Sequence, residues 1–410
     1  MKFVITGAST YGVSNMGDDA MLLNVVQGLK AEYPDCSIDF LCRHPSKKYD
    51  EEFGFKSVKN LDHDSKEAAA GRLFLGMNSD DNPQNLIEIN EIISNADLLI
   101  IGGNSFMEIF KNEFLRGVSS YSSTLAILAK FHNIPFALYG LNIVSRLKDA
   151  TTIQHAKFLC ENAKSITFRE ESGLNFLKEL EIKNKNMHIL GDPAYGMSVS
   201  INKEKISEIL KRNHINLKSD RPIIGLAIRH EYWQGTDEDY IKFNVKFASI
   251  IDQLITLHNF QFLFIPNCTY TKGNKWQDDR LTHKSIFEQI KNKNSVYEIS
   301  EELTVRETYM LFSILDIHIS NRRHSSIFAA MNNIPFISID SCFEGHMSPF
   351  LVDLGMEDQL IHHGNLDSLV KKVSETVNNK KQIKKILLSR VREIKDLSQR
   401  HVPIILKDSL

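Results

Sequence analysis

Five cysteines are all that the 410 residues contain, and Cys36, Cys42, Cys160, Cys268 and Cys342 form no CxxC pair. An odd number of thiols scattered along a long chain excludes a disulfide framework and reads as reduced cysteine in a cytosolic protein. Charge of one sign is missing too. Lys+Arg 49 against Asp+Glu 51 leaves a formal charge of −2, so no sequence-wide field draws the chain to nucleic acid or an anionic membrane, and only local basic patches remain open. No window approaches the roughly 20 apolar residues of a membrane span. The opening MKFVITGAST is a short apolar run ending in a glycine turn, without the basic flank and long apolar stretch of a signal peptide. Low-complexity segments, short repeats and clusters with metal-ligand spacing are also absent. The expectation is a cytoplasmic protein with no nucleic-acid partner and no span, for which peripheral membrane association stays open.

What is present is ordinary globular composition, 42% hydrophobic and 24% charged, over a length that suggests about two or three domains. Short apolar runs at Lys2–Thr6, Ser37–Leu41, Asp97–Ile101, Pro135–Tyr139, Ser165–Phe168 and His188–Leu190 predict strands, several of them apolar throughout as parallel strands covered on both faces are. Between them, Asp18 to Lys30 carries Met21, Leu22, Val25, Val26 and Leu29 on one helical stripe, and Ser122–Phe131, Thr151–Asn162 and Glu170–Leu180 also read as helices. The second half repeats the scheme with strands at Ile223–Ile228, Phe260–Ile265, Val296–Ile299, Ile317–Ser320 and Phe336–Ile339. Thr304-Val-Arg-Glu307 reads as a capping box, and Leu366 to Gln399 as a lysine-rich helical tail whose charges form a solvated face. The polar stretch Asp62–Gln84 reads as a mobile loop or short helical insertion. The fold class expected is α/β: two Rossmann-like parallel-sheet domains facing across a cleft, residues 1–200 and 222–410, joined by a polar linker at 201–221.

Chemistry in such folds sits beyond the carboxyl ends of the strands, and five segments lie there. In Asn15-Met-Gly-Asp-Asp-Ala20, Gly17 permits close backbone approach. Asp18 and Asp19 oppose a phosphate on that helix end and suit capping or a sugar hydroxyl, with a simple Asx cap as the alternative. No Gly-Lys-Ser/Thr follows, so it is not a Walker loop. Ile100-Ile-Gly-Gly-Asn-Ser105 places Gly102 and Gly103 after an apolar strand. Arg169 ends Ile166-Thr-Phe-Arg169, with an ion pair to Glu170 or Glu171 as its alternative. Arg229 takes the same position in Gly225-Leu-Ala-Ile-Arg229-His230. The richest segment, His318-Ile-Ser-Asn-Arg322-Arg323-His324, runs from an apolar strand into two arginine forks and an imidazole before an apolar helix. Arginine forks bind carboxylate and phosphate, and histidine moves protons near neutral pH.

Taken in order, NMGDDAMLLNVVQGL, ADLLIIGGNSF, SITFREESGL, HILGDPAYGM and SNRRHSSIFAAMNNIPFISID resemble the polysaccharide pyruvyl transferase family. The last segment resembles that family's Arg-x-His followed by a small-residue helix and a Pro-containing strand. The resemblance implies an architecture like that of GT-B glycosyltransferases. It also implies transfer of pyruvate from phosphoenolpyruvate to a saccharide, usually as a cyclic ketal, in cell-surface polysaccharide biosynthesis, with no other cofactor. Residues 1–200 would then form the acceptor side and 222–410 the donor side.

On that resemblance Arg169 and Arg322 clamp the donor's carboxylate and phosphate, Arg229 or Arg323 assists, and His324 is the general acid. Asn15, Gly17, Asp18, Gly103, Asn104 and Ser105 hold the acceptor saccharide, whether free or linked to lipid or nucleotide. The chain departs from the family in two places. Asp340-Ser-Cys-Phe-Glu-Gly-His346 lacks the lysine common after the last strand, where His346 supplies a cation only when protonated, and Arg323 replaces an apolar residue. A GT-B-like glycosyltransferase using a nucleotide sugar is the alternative enzyme, although no Glu-x7-Glu signature is evident. A non-enzymatic saccharide-binding protein is the third reading.

Overall fold

The computed structural model describes residues 1–7, 12–103, 113–143, 148–231, 236–273, 275–340 and 347–410, and they form two compact units. The first comprises residues 1–13, 18–198 and 394–410, the second 14–17 and 199–393.

The first unit is built on seven strands: β1 (Lys2–Thr6), β2 (Ser37–Cys42), β3 (Lys56–Lys59), β4 (Leu98–Gly102), β5 (Phe136–Leu141), β6 (Ile166–Phe168) and β7 (Met187–Ile189). They pair in the order β3-β2-β1-β4-β5-β6-β7, every neighbour parallel. Strand β4 is buried along its whole length, as its unbroken apolar run requires. Val4, Leu99, Ile101, Leu125, Phe136, Leu138 and Phe168 belong to the core that the helices close over.

The second unit carries β8 (Ile223–Ala227), β9 (Gln261–Phe264), β10 (Val296–Glu298), β11 (Ile317–Ser320), β12 (Phe336–Asp340) and β13 (Leu360–His362), in the order β10-β9-β8-β11-β12-β13, again all parallel. Ile224, Leu226, Phe247, Phe262, Phe264, Ile319 and Ile337 fill its core. In each sheet the chain winds first one way and then the other. The reversal falls between β1 and β4 in the first unit and between β8 and β11 in the second. Such reversals open a crevice at the strands' carboxyl ends, because the two connecting segments leave in opposite directions.

Several expectations need correcting. Strands β3 and β13 were not foreseen. Each lies at a sheet edge, where one flank has no neighbour, and Lys56-Ser-Val-Lys59 buries Val58 alone. Residues 201–221 are not a free linker. They contain the helix Lys203–Arg212, which belongs to the second unit, and Arg212 Nε lies 3.1 and 3.2 Å from the two Glu301 carboxylate oxygens. The tail does not stay with the second half. From Ile394 onward it joins the first unit, where Asp408 Oδ2 accepts from Ser165 Oγ and lies 2.9 Å from His188 Nε2. Within 62–84 a one-turn helix, Lys66–Ala69, is followed by a loop in which Arg72 pairs with Asp80 and Asp81. The Thr304–Glu307 capping box is present with both hydrogen bonds, at the start of the helix Val305–Phe312.

Candidate active site

The crevice between β8 and β11 is assembled by side chains standing in for missing strand pairs. Just past β11, the Asn321 side-chain amide accepts from Arg229 N at 2.9 Å and donates to Arg229 O at 3.1 Å. The Ser320 hydroxyl donates to Ala227 O and accepts from Arg322 N, both at 2.7 Å. The two Asn321 bonds carry the β8–β11 pairing one step past the sheet, while Ser320 Oγ ties the last paired residues and accepts locally from Arg322 N. They hold Arg322 extended, at φ −103° and ψ 114°, immediately before the helix Arg323–Met331.

The Arg322 guanidinium is then fixed from the other side. Asp279, fully buried, accepts from Arg322 Nη2 through Oδ1, and its Oδ2 accepts from Asn267 N and Cys268 N, each at 3.0 Å. Burial opposes charge on Arg322, and the Asp279 carboxylate more than offsets it, so the arginine's pKa lies above its ordinary value. Burial lowers the pKa of Arg229, against Glu231 and with the positive Arg322 contributing. Arg229 Nε lies 3.4 Å from Glu231 Oε1, so each of the two guanidinium groups stands beside a carboxylate of its own.

His324 lies in the first turn of the Arg323–Met331 helix and is half-buried. Its imidazole rests against Gly17, where a Cβ would come within 2.1 Å of Nδ1 and 2.4 Å of Cγ. That neighbour places the first glycine loop with the second unit, where the sequence had grouped it with residues 1–200. Residues 14–17 cluster with the second unit: Met16 N donates to Asn267 O at 2.9 Å, Thr269 N donates to Ser14 O at 3.1 Å, and Asn15 forms an antiparallel bridge with Cys268. Asn15 Oδ1 accepts from Gly17 N at 3.2 Å, the Asx cap held open as the alternative reading of this loop.

Other expected site residues are placed differently. Arg169 is 4% exposed and tied within the first unit, its Nε donating to Gly140 O at 2.8 Å and Nη1 lying 3.7 Å from Asp192 Oδ2. Neither Glu170 nor Glu171 is that partner. Its guanidinium bridges β5 and the Asp192 turn. Arg323 is likewise buried, with its guanidinium 5.6 Å from the centre of the Phe350 ring. Asp18 is buried in the first turn of the helix Met16–Glu32. Just past β4, Gly103 has φ +80°, a left-handed turn that favours glycine, while Asn104, Ser105 and His346 lie outside the described residues.

Three participants were missed. Asp279 sits in the polar stretch Trp276-Gln-Asp-Asp-Arg280, where only its complete burial distinguishes it from Asp278 beside it. Ser320 was read as the end of a strand and Asn321 as the step into the arginines. Next to them a cavity of 340 Å3 is lined by Arg229, His230, Glu231, Tyr240, Asn321 and Asp340 among others. His230 stacks on Trp276 at 4.2 Å between ring centres, and burial depresses its pKa to about 4, so it stands neutral. Among the described residues no group of three or more His, Cys, Asp or Glu side chains gathers as a metal site, and no helix is long and apolar enough to cross a membrane.

The family model described as polysaccharide pyruvyl transferase matches residues 15–342, a span that includes the Asn15–Gly17 loop, Arg229, Asp279 and the Arg322–His324 segment. The chain belongs to the polysaccharide pyruvyl transferase family. It is therefore a transferase of the polysaccharide-modifying kind, and the family implies a saccharide acceptor. The amylovoran biosynthesis protein AmsJ of Erwinia amylovora is 22% identical, with 99% of each chain covered. Among solved structures, the Rickettsia africae ESF-5 glycosyltransferase superposes with a TM-score of 0.61 at 14% identity, over 99% of this chain and 98% of the other. The UDP-GlcNAc 2-epimerase of Neisseria meningitidis gives 0.60 at 13% identity, over 99% and 100%. At such identities the likeness shows the fold, in which this pyruvyl transferase family member has the GT-B-like pair of parallel-sheet domains.

Proposed function

We propose that this transferase moves a pyruvyl group from phosphoenolpyruvate to two hydroxyls of a saccharide, forming a cyclic ketal and releasing phosphate, in polysaccharide biosynthesis. The observation that carries the reading is the crevice at the β8–β11 reversal. There Arg322, locked in place by Asp279, interacts electrostatically with Arg229 and stands two residues before His324. Phosphoenolpyruvate bears a carboxylate and a phosphate on adjacent groups, so closely placed guanidinium forks answer both. Arg229 and Arg322 hold the donor, and His324 is the general acid.

Protonated His324 delivers a proton to the donor's methylene carbon, and positive charge develops at the adjacent carbon. One acceptor hydroxyl oxygen bonds to that carbon and returns its proton to the imidazole. The second oxygen then bonds there as the carbon–oxygen bond to phosphate breaks, and its proton leaves with the phosphate. No oxidant or reductant is consumed, and no cofactor beyond the donor enters these steps. AmsJ, whose name places it in amylovoran biosynthesis, supports the polysaccharide context.

The test is incubation with phosphoenolpyruvate and a panel of saccharide acceptors, scored by phosphate release. Acceptor-dependent release, abolished in His324→Ala while donor affinity stays within a few-fold, is expected. Turnover of a nucleotide sugar with none of phosphoenolpyruvate would overturn the reading in favour of a glycosyltransferase.

A further inference from the structure

Helix Met16–Glu32 has a glycine at its second position, where an alanine would be the better helix former. Gly17 has no left-handed backbone to excuse it, since its φ is not among the positive ones. What excludes a side chain is His324. The three nearest atoms to a Cβ placed at Gly17 all belong to that imidazole, Nδ1 at 2.1 Å, Cγ at 2.4 Å and Cε1 at 2.8 Å. Cγ is the root of the ring, so turning the ring about its own axis does not relieve the overlap. The whole side chain has to leave its χ1 position.

The Gly17 backbone cannot yield easily either. Met16 N is bonded to Asn267 O, Thr269 N to Ser14 O, and Ser14 Oγ donates to Glu302 Oε1 at 3.0 Å. The same 267–268 segment gives both backbone N–H groups to Asp279 Oδ2, and Asp279 holds Arg322. One short stretch of backbone therefore sets two things at once, the place of the Arg322 fork and the surface on which His324 lies.

We propose that Gly17 is a positioning residue for His324. Its bare Cα is the platform that orients the imidazole relative to the donor arginine, instead of a contact to the acceptor saccharide. The inference rests on the reaction proposed above for its kinetic consequence, but the contact itself is testable without it.

The experiment is a double-mutant cycle of Gly17→Ala and His324→Ala, read by melting temperature in all four proteins and by phosphate release from phosphoenolpyruvate in the parent and the two single variants. Gly17→Ala alone is expected to lower kcat by roughly tenfold or more, because displacing a reacting group by about 1 Å is that costly, with the KM for phosphoenolpyruvate within about twofold of the parent. In the His324→Ala background the three atoms nearest the added methyl are gone, so alanine's helix preference should raise the melting temperature by about 1–3 °C. In the parent background the same substitution should lower it or leave it unraised. An equal melting-temperature change in both backgrounds overturns the proposal, as does a Gly17→Ala enzyme with the parent's kcat. If the stabilities couple as expected but His324→Ala turns over phosphoenolpyruvate like the parent, the reaction assigned to this site falls, and the positioning role with it, while the contact remains.

Discussion

A carboxylate removed from water is tolerable only when its charge is answered, and Asp279 is answered by two backbone N–H groups and the Arg322 guanidinium. The converse holds for Arg322, whose buried Nη2 has that carboxylate as its counter-charge. Asp279→Asn should therefore cost about 3 kcal/mol or more of stability, the usual price of stranding one member of a buried pair, and should raise the KM for phosphoenolpyruvate as the fork loses its anchor. Denaturant unfolding and initial-rate kinetics measure the two effects, and a variant with the parent's stability would show that Arg322 finds its charge balance elsewhere. Arg322 and His324 were legible because forks and an imidazole clustered after an apolar run. Asp279 was not, since its meaning lies in a contact across 43 positions of sequence. Arg169 and Arg323 were equally visible at a strand end and a helix start, but their neighbours, Asp192 and the Phe350 ring, were not.

Elements were read best where burial is two-sided. The interior strands β1, β4, β8 and β11 are apolar runs because helices cover both faces, and the pattern identifies them directly. Edge strands such as β3 and β13 form a parallel pairing with one neighbour only, and little in Lys56-Ser-Val-Lys59 distinguishes it from a loop. Caps are local and so are legible. At the Val305–Phe312 helix, Thr304 Oγ1 accepts from Glu307 N at 3.2 Å, while the Glu307 carboxylate accepts from Thr304 N at 3.1 Å. Thr304→Ala should lower stability by about 1 kcal/mol, visible as a shifted urea midpoint at constant slope. A loss near zero would mean that packing alone holds that helix end.

At the scale of the whole molecule, the amphipathic pattern of the tail was readable but its destination was not. A stripe with Ile383 and Leu387 buried and Lys381 and Lys385 exposed says that a helix covers something, without saying which sheet. Only the fold shows that 394–410 returns to the first unit, where Val402 lies against Gly28 and His401 Nε2 stands 3.0 Å from Gly191 O. Buried histidines also set how the molecule responds to acid. Burial pushes His283 and His318 down to about 3, and His230 and His401 down to about 4. Histidines in the unfolded chain take up protons near pH 6.5, so below that pH the unfolded state binds protons the native state refuses. Stability contributed by these four is complete above about pH 6.5 and is lost progressively down to about pH 3–4. Glu298, raised by burial to about 7, acts oppositely, and its contribution fades as pH climbs from about 4.5 through 7. Four groups outweigh one, so unfolding midpoints recorded from pH 7 to pH 4.5 should fall steadily. A flat profile would mean these imidazoles are solvated or paired in the native state.

The central claim is that Arg322, set by Asp279 at the β8–β11 reversal, grips the donor's anionic groups. Calorimetric titration of phosphoenolpyruvate into the parent and into Arg322→Lys, which keeps a cation for Asp279 but removes the fork, tests it directly. The account predicts measurable binding to the parent and affinity weakened by roughly tenfold or more in the variant, at a similar melting temperature. Equal affinities, or a parent that does not bind phosphoenolpyruvate at all, would contradict it.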